Sequence, residues 1–237
     1  MNRTMAILLA GGSGERFGHD QAKQFFLIGR RTILEHCLDR FEKHTGIQGI
    51  ILVENPDYHD RTMDLINKNG YAKIESIVSG GHSRQESSHI GIKEVSDDVE
   101  NVLIHDVARP LIPETILNRL IDSLRFYQAV IPAISSSDTL IEADRSSLMT
   151  KIHNRDRIKR VQTPQAFKRN LIREAHDLAC NNHITGSTDD SSLVLNQNLA
   201  DVYVIEGSEL NIKVTYPADL EYARAIFSSN LIDKRGK

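Results

Sequence analysis

A glycine-rich segment with two cations follows the first apolar run of the chain. Residues 5–9 read MAILL, residues 9–18 read LAGGSGERFG, and Lys23 comes a few positions later. Glycine lets the backbone approach a phosphate closely and point its N–H groups at the phosphate oxygens. Arg16 and Lys23 would bring positive charge to the same group. This combination predicts a binding site for a polyphosphate.

The spacing of the glycines separates this segment from two common nucleotide-binding motifs. A Walker A loop has the pattern G-x-x-x-x-G-K-[ST], and no Lys-Ser or Lys-Thr pair follows these glycines. A dinucleotide motif G-x-G-x-x-G beginning at Gly12 would need glycine at position 17, where the chain has Phe17. Taken alone, the segment is also compatible with an ordinary glycine-rich turn.

Two further polar motifs follow later apolar runs. Residues 80–87 (GGHSRQES) come after the run at 73–78, and residues 105–110 (HDVARP) come after the run at 101–104. Ligands of open α/β sheets bind at the carboxyl ends of the strands, so we expect these motifs to converge with the glycine segment. His105 is predicted to be a positioned structural residue rather than a general base.

Apolar runs of strand length alternate with helical patterns along the chain. The predicted strands are 5–9, 49–53, 73–78, 101–104, 129–133 and 200–205, and the predicted helices are 32–42, 57–69, 84–95, 113–126, 171–180 and 217–227. This alternation predicts an α/β fold, in which a mostly parallel sheet carries helices on both faces.

Residues 135–162 interrupt this alternation. They are polar, rich in charged residues and without a clean period. We predict that this segment leaves the main sheet and forms an extended arm used for subunit contact. Residues 1–237 are otherwise expected to form a single domain.

The composition excludes several classes of partner. Lys and Arg number 29 against 32 Asp and Glu, the net charge is -3, and no basic run is present, so nucleic acid is not an expected partner. Apolar runs stay far below the roughly 20 residues of a membrane span, so no membrane partner is expected. Cys37 and Cys180 cannot build a disulfide framework, and no signal peptide is expected, so we predict a cytoplasmic protein.

Six motifs together give the chain a specific resemblance. They lie, in order, at residues 10–18, 80–87, 105–110, 162–167, 188–190 and 211–215. In this order the chain resembles the nucleotidyltransferase subfamily that contains the 2-C-methyl-D-erythritol 4-phosphate and ribitol-5-phosphate cytidylyltransferases. The resemblance covers about residues 6–227. It implies a Rossmann-like three-layer nucleotidyltransferase fold with an extended dimerisation arm.

The implied reaction is attack of a polyol phosphate oxygen on the α-phosphate of CTP, with release of pyrophosphate. The resemblance assigns a catalytic role to Arg16, Lys23 and Lys213. It assigns CTP binding to Leu9, Ala10, Gly11, Gly12, Gly80, Gly81, Arg84, Ser87 and Asp106.

A second implied set of residues binds the polyol phosphate in a homodimer. This set comprises Asp106, Arg109, Thr139, Arg155, Thr188 and Lys213. Thr139 and Arg155 would contact the phosphate bound to the neighbouring subunit. Mg²⁺ is expected mainly on the CTP phosphates, with Asp106 as its candidate protein ligand.

Four of these assignments have a competing interpretation. Ser87 could serve only as a helix cap, and Thr188 could do the same for the helix that follows it. Arg157 competes with Arg155 for the acceptor phosphate. Arg109 could pair with the neighbouring aspartate instead of contacting substrate.

The acceptor is the least constrained part of the functional prediction. The motifs at 161–167 and 188–190 favour 2-C-methyl-D-erythritol 4-phosphate. Three features favour ribitol 5-phosphate: the sequence Ile141-Glu142, where the first enzyme commonly has Lys, the His153-Asn154-Arg155 context and the Ala10-Gly11-Gly12 sequence. A non-catalytic nucleotide-binding relative and a hexose-1-phosphate nucleotidyltransferase are the remaining alternatives.

Overall fold

The computed structural model describes residues 3–12 and 22–229. Its elements, in chain order, are β1 (Arg3–Ala10), β2 (Leu27–Ile28), β3 (Arg31–Thr32), α1 (Ile33–Lys43), β4 (Gly49–Glu54), α2 (His59–Asn69), β5 (Ile74–Ser79), α3 (Arg84–Lys93), β6 (Val99–Asp106), α4 (Glu114–Ser123), β7 (Ala129–Ser135), β8 (Ile141–Ala143), β9 (Met149–Ile152), β10 (Lys159–Val161), β11 (Gln165–Lys168), α5 (Arg169–Asn181), α6 (Ser191–Asn196), β12 (Val202–Glu206) and α7 (Pro217–Ser228).

A mostly parallel sheet of eight strands organises the chain, as predicted. Its order is β10-β7-β11-β6-β1-β4-β5, and β12 pairs with β7. Strands β1, β4, β5 and β6 run parallel, whereas β11 is antiparallel to β6 and β7. Leu9 of β1 lies opposite Val53 of β4 and Asp106 of β6. The carboxyl ends of these three strands therefore lie side by side.

Helices cover both faces of this sheet and make the fold three-layered. Side chains of β1 alternate between two apolar clusters, with Ala6 and Leu8 in one and Met5 and Ile7 in the other. The first cluster includes the buried faces of α1, α4 and α7, and the second includes those of α3, α5 and α6. Successive side chains of a strand point to opposite faces of the sheet, and here a helical layer covers the apolar side chains on each face.

Helix α1 begins at a side-chain cap that its sequence provides. Thr32 and Glu35 form a capping box at the start of α1, in which each side chain accepts from the backbone N–H of the other residue. Within residues 3–12 and 22–229, no helix has the length and apolarity needed to cross a bilayer.

The segment at 135–162 divides into two parts. Among the described strands, β8 and β9 pair only with each other, which agrees with an excursion from the main sheet. Strand β10, by contrast, pairs with β7, and Lys159 lies opposite Ser135. The predicted arm therefore ends before residue 159, because the chain has by then returned to the main sheet.

Glycine at position 91 lets α3 approach the sheet closely. A Cβ atom there would lie 2.5 Å from Cγ2 of Ile7 and 2.9 Å from Cγ2 of Val53. These distances are shorter than any normal carbon–carbon contact. The close packing fixes the last turns of α3 against β1 and β4.

We expect Gly91→Ala to lower the free energy of unfolding by about 1–3 kcal/mol, the usual cost of overpacking a core. This loss would occur although alanine favours a helix over glycine by about 1 kcal/mol. Urea denaturation measures the change. Lys93→Ala, at an exposed position of the same helix, is the control and should stay within about 0.5 kcal/mol of the parent. A Gly91→Ala protein more stable than the parent would contradict the packing argument.

Candidate active site

A cleft of about 330 Å³ lies at the carboxyl ends of the parallel strands. Its described lining comes from the end of β1, the turn that precedes α1, the start of α3, the end of β6 and the segment before α7. These residues are Leu9, Ala10, Gly11, Gly12, Lys23, Gln24, Ile33, Gly81, His82, Ser83, Arg84, Ser87, Asp106, Val107, Ala108 and Lys213. Arg16, predicted to be catalytic, lies outside the described residues.

Lys23 lies directly beside the glycine segment. A Cβ atom on Gly12 would be 3.5 Å from Cε and 3.8 Å from Nζ of Lys23. Lys23 begins a short 3-10 turn that ends at Phe25, whose ring is buried. The guanidinium of Arg61 stands 4.2 Å from the centre of that ring, in a cation–π contact. The anchored ring thus holds the lysine at the cleft.

Ser87 supports the turn at Gly80 and Gly81 and does not cap α3. The N-cap is Ser83, whose hydroxyl accepts from the N–H of Glu86. The Ser87 hydroxyl accepts from the N–H of Gly81 at 3.1 Å and donates to the carbonyl of Ser83 at 2.9 Å. A Cβ atom on Gly80 would lie 3.0 Å from this hydroxyl, so a side chain there would crowd it.

Asp106 is bonded by a different cation on each carboxylate oxygen. Arg84 Nε donates to Oδ1 at 3.0 Å, and Lys213 Nζ donates to Oδ2 at 2.7 Å. Burial by itself would raise the pKa of Asp106, but the charges of Arg84 and Lys213 hold it well below its usual range. The carboxylate is therefore ionised at neutral pH.

Arg84 also connects this carboxylate to a second one, which the sequence analysis missed. Its Nη1 donates to Oδ2 of Asp190 at 2.8 Å. Both aspartates are buried, and their charges outweigh the effect of burial and raise the pKa of Arg84. Asp190 lies in the motif at 188–190, from which only Thr188 was predicted to contribute. Two aspartates, Asp189 and Asp190, follow Thr188 in this motif. Their charge was the signal in the sequence that could have identified Asp190.

His105 is structural, as predicted. Its Nε2–H donates to the carbonyl of Arg109 at 3.0 Å, and its Nδ1 accepts from the Thr163 hydroxyl at 3.1 Å. That hydroxyl accepts in turn from the N–H of Asp106. Burial is the main reason that the pKa of His105 falls to about 4. The neutral imidazole therefore fixes the backbone that carries the Asp106 carboxylate.

Arg109 does not pair with Asp106. Its Nη1 donates to the carbonyl of Asn211 at 2.7 Å, and the Asn211 amide donates to the carbonyl of Thr163. Arg109 thus ties the segment that carries Lys213 to the end of β6. It does not line the cleft in the described part of the chain.

Thr139, Arg155 and Thr188 are exposed and do not line the cleft formed by the described residues. Arg155 and the competing Arg157 both belong to one exposed 3-10 turn. Thr188 does not cap α6, because the N–H of Ser192 is bonded by Oδ1 of Asp189 at 3.0 Å. A single chain thus brings together the predicted CTP residues, with Lys213, but not the outer part of the predicted acceptor site.

His105 should make stability depend on pH between about 6.5 and 4. The unfolded histidine takes up a proton near pH 6.5, whereas the folded one stays neutral to about pH 4, so stability is lost as the pH falls through this window. In the parent protein, protonation of His105 should cost about 3 kcal/mol of unfolding free energy between these two pH values. We expect His105→Gln to lack this decrease, so that its curve of unfolding free energy against pH is flatter. Urea titrations at several pH values measure it.

The control for this experiment is His183→Asn. His183 is exposed and has a φ of 55°, which asparagine tolerates. Its curve should run parallel to that of the parent. Equal pH dependence in His105→Gln and the parent would mean that His105 is not buried in its neutral form.

Comparison with known proteins places the chain in a family. A protein-family model described as 2-C-methyl-D-erythritol 4-phosphate cytidylyltransferase matches residues 4–229. A 2-C-methyl-D-erythritol 4-phosphate cytidylyltransferase of Syntrophus aciditrophicus is 40% identical over 224 residues, which are 94% of this chain and 95% of the relative. The corresponding protein of Clostridium botulinum strain 657 is 37% identical over 220 residues, or 93% and 95% of the two chains.

Another relative has a second activity in its name. A bifunctional ribulose 5-phosphate reductase/CDP-ribitol pyrophosphorylase of Haemophilus influenzae is 36% identical over 231 residues, which are 96% of this chain but 49% of the relative. The chain therefore spans about half the length of that protein.

A solved structure gives the same assignment. The 4-diphosphocytidyl-2C-methyl-D-erythritol synthase of Anaerococcus prevotii superposes with a TM-score of 0.84 at 33% identity, covering 96% of both chains. Since the match extends over nearly the whole chain in sequence and in structure, the chain belongs to the 2-C-methyl-D-erythritol 4-phosphate cytidylyltransferase family of CTP-dependent enzymes.

Proposed function

We propose that this enzyme transfers CMP from CTP to 2-C-methyl-D-erythritol 4-phosphate and releases pyrophosphate. The observation that carries the proposal is the composition of one cleft. There Lys23 lies against the glycines that follow β1, and Lys213 is bonded to the ionised Asp106. The two lysines would bring positive charge to CTP and to the acceptor phosphate, which are both anions.

Nucleotidyl transfer asks the protein mainly to align its reactants and to neutralise charge. Backbone N–H groups of Gly11 and Gly12 and the ammonium of Lys23 would contact the triphosphate, together with Arg16. Charge develops on the phosphate oxygens in the transition state, where Lys23 would stabilise it. Asp106 would orient the acceptor hydroxyls. No nucleophilic side chain is required.

We further propose that Mg²⁺ enters with the phosphates of CTP. Among the described lining residues Asp106 is the only carboxylate, and the described residues hold no group of three or more metal-binding side chains. Mg²⁺ commonly binds through one or two carboxylates and substrate phosphates. Asp106 fits this role because it is ionised and each of its oxygens has a second lone pair. Bound there, Mg²⁺ would neutralise phosphate charge.

Ribitol 5-phosphate is the second candidate acceptor. The relative from Haemophilus influenzae supports it by name, and so does the sequence at Ile141-Glu142. Glu142 is exposed and bonded to Lys151 and His153. The β8–β9 hairpin therefore carries a negative side chain where the 2-C-methyl-D-erythritol 4-phosphate enzyme commonly has a positive one. The relatives named for 2-C-methyl-D-erythritol 4-phosphate match over nearly their full length, which favours that acceptor.

Pyrophosphate release from CTP with each acceptor tests the assignment. We expect kcat/KM for 2-C-methyl-D-erythritol 4-phosphate to exceed that for ribitol 5-phosphate by at least about tenfold, within the discrimination that a polar site reaches. The opposite ratio would assign the second candidate. Release with neither acceptor would reject both.

Lys23→Ala should lower kcat at least about 100-fold, the scale for losing one charge contact to a transition state. Pyrophosphate release under saturating CTP measures it. The matched control is Lys68→Ala, which removes an exposed lysine of α2 and should leave kcat unchanged. Near-normal turnover of Lys23→Ala would remove this residue from the mechanism.

We propose a homodimer in which Thr139 and Arg155 complete the partner's acceptor site. Both are exposed, and neither belongs to the described lining of the cleft in its own chain. The β8–β9 hairpin also exposes apolar side chains that association would cover, among them Ile141, Met149 and Ile152. Arginine suits an acceptor phosphate because its planar fork donates two bonds at once.

Arg155→Ala should raise the KM for the acceptor, and mixing subunits tests whether the site is shared. A one-to-one mixture with Lys23→Ala subunits should restore about a quarter of the parent activity, because roughly half of the dimers are mixed and each holds one intact site. No restoration would place Arg155 in the site of its own subunit. A mixture with Arg157→Ala in place of Arg155→Ala distinguishes the two arginines.

We place the enzyme in the cytoplasm. Both cysteines are free thiols, Cys37 buried in α1 and Cys180 exposed, as expected in a reducing compartment.

A further inference from the structure

We propose that His176 is a positioning residue for the nucleotidyl transfer proposed above. It lies in α5, within the helical layer below the cleft, and it does not line the cleft itself. It holds the carboxylate of Asp190, and through Asp190 it fixes the guanidinium that orients Asp106. The inference therefore rests on the proposed role of Asp106.

A continuous series of bonds leads from His176 to the cleft. His176 Nε2–H donates to Oδ1 of Asp190 at 3.1 Å. Oδ2 of the same carboxylate accepts from Nη1 of Arg84 at 2.8 Å, and Nε of Arg84 donates to Asp106 at 3.0 Å. Asp190 thus bridges His176 and Arg84, and the Ser88 side chain also interacts with the same carboxylate. Arg84 and Asp106 line the cleft, whereas His176 and Asp190 lie behind it.

Arg84 depends on both of its carboxylate partners for its orientation. Its Nη2 is buried and has no hydrogen-bond partner in the described part of the chain. The guanidinium is therefore oriented by two bonds, one to Asp106 and one to Asp190. If Asp190 rotates, Arg84 keeps a single bond, and the direction in which it holds Asp106 is no longer fixed.

His176 opposes that rotation by bonding Oδ1 of Asp190, the oxygen that Arg84 does not contact. The side chains of His176 and Asp190 are each 1% exposed, so water does not replace the imidazole as donor. The backbone of this segment is fixed separately, since the N–H groups of Asp190 and Ser191 donate to Oε1 of Gln165. With the backbone fixed, the carboxylate of Asp190 can still rotate about its side-chain bonds, and the hydrogen bond from His176 restricts this rotation.

His89 provides a matched control at the same helix interface. Its ring lies 5.6 Å from that of His176, but its Nε2 pairs with Asp177 at the outside of the molecule. Replacing His89 removes an imidazole that also packs on the His176 ring, but it removes none of the hydrogen bonds that lead to the cleft.

The test uses two substitutions of His176. His176→Leu keeps the volume and removes the donor, whereas His176→Gln keeps an N–H near the position of Nε2. We expect the leucine variant to lose about 10- to 100-fold in kcat/KM for the acceptor, mainly through KM, which is the scale of a small misplacement of reacting groups. The glutamine variant should stay within about threefold of the parent, as should His89→Leu.

The KM values separate positioning from a folding defect. A smaller fraction of folded enzyme would lower the apparent kcat but would leave the KM for the acceptor unchanged. Asp190→Asn supplies a second measurement, because it breaks the same series at the next member. If His176 acts through Asp190, the double variant His176→Leu/Asp190→Asn should be no worse than Asp190→Asn alone.

Three results would overturn the inference: a parent-like KM in His176→Leu, an equal loss in the leucine and glutamine variants, or losses that multiply in the double variant. Should His176→Leu not fold, His176→Asn replaces it, since its short amide keeps a polar group but does not reach the position of Nε2. These results differ from failure of the proposed function itself, in which the parent enzyme would show no transfer to either acceptor.

Discussion

Arg84 is held between two buried carboxylates, and the geometry of the cleft depends on that contact. Removing a buried cation from between two anions would leave uncompensated charge, a loss of about 3–5 kcal/mol in comparable cases. The contact joins three separate parts of the chain, because Arg84 begins α3, Asp106 ends β6 and Asp190 precedes α6. Helical layer and sheet are thereby fixed to one another at the point where the substrates would meet.

The parallel sheet explains why this contact can form at all. Strand β1 lies between β4 and β6, so the segments that follow these strands leave the sheet at one edge. Gly11 and Gly12 follow β1 at that edge, and Asp106 reaches the same place from β6. Gly91 allows α3, the helix that Arg84 begins, to pack closely on β1 and β4.

Local patterns in the sequence predicted most of the fold and the convergence of three polar motifs at one edge of the sheet. Each predicted strand and helix overlaps an observed one, because continuous apolar runs such as 49–53 and helical stripes such as 32–42 are recognisable in the sequence. Strands β2, β3, β8, β9, β10 and β11 and helix α6 were not predicted, because they have two to six residues and most of them mix polar with apolar side chains. The contact of Arg84 with Asp190 spans 106 positions, and no local pattern encodes a pairing at that distance. His176 likewise reads as a core residue of an amphipathic helix until its partner is known.

The way the β8–β9 hairpin is attached has a consequence for the evolution of the family. The chain leaves the main sheet after Ser135 and returns at Lys159, and these two residues are paired neighbours. An insertion whose ends already touch can change in length or sequence without altering the register of any strand. In the dimer proposed above, exchange of this one segment would change the side chains offered to the acceptor and leave the strands that form the cleft unaltered.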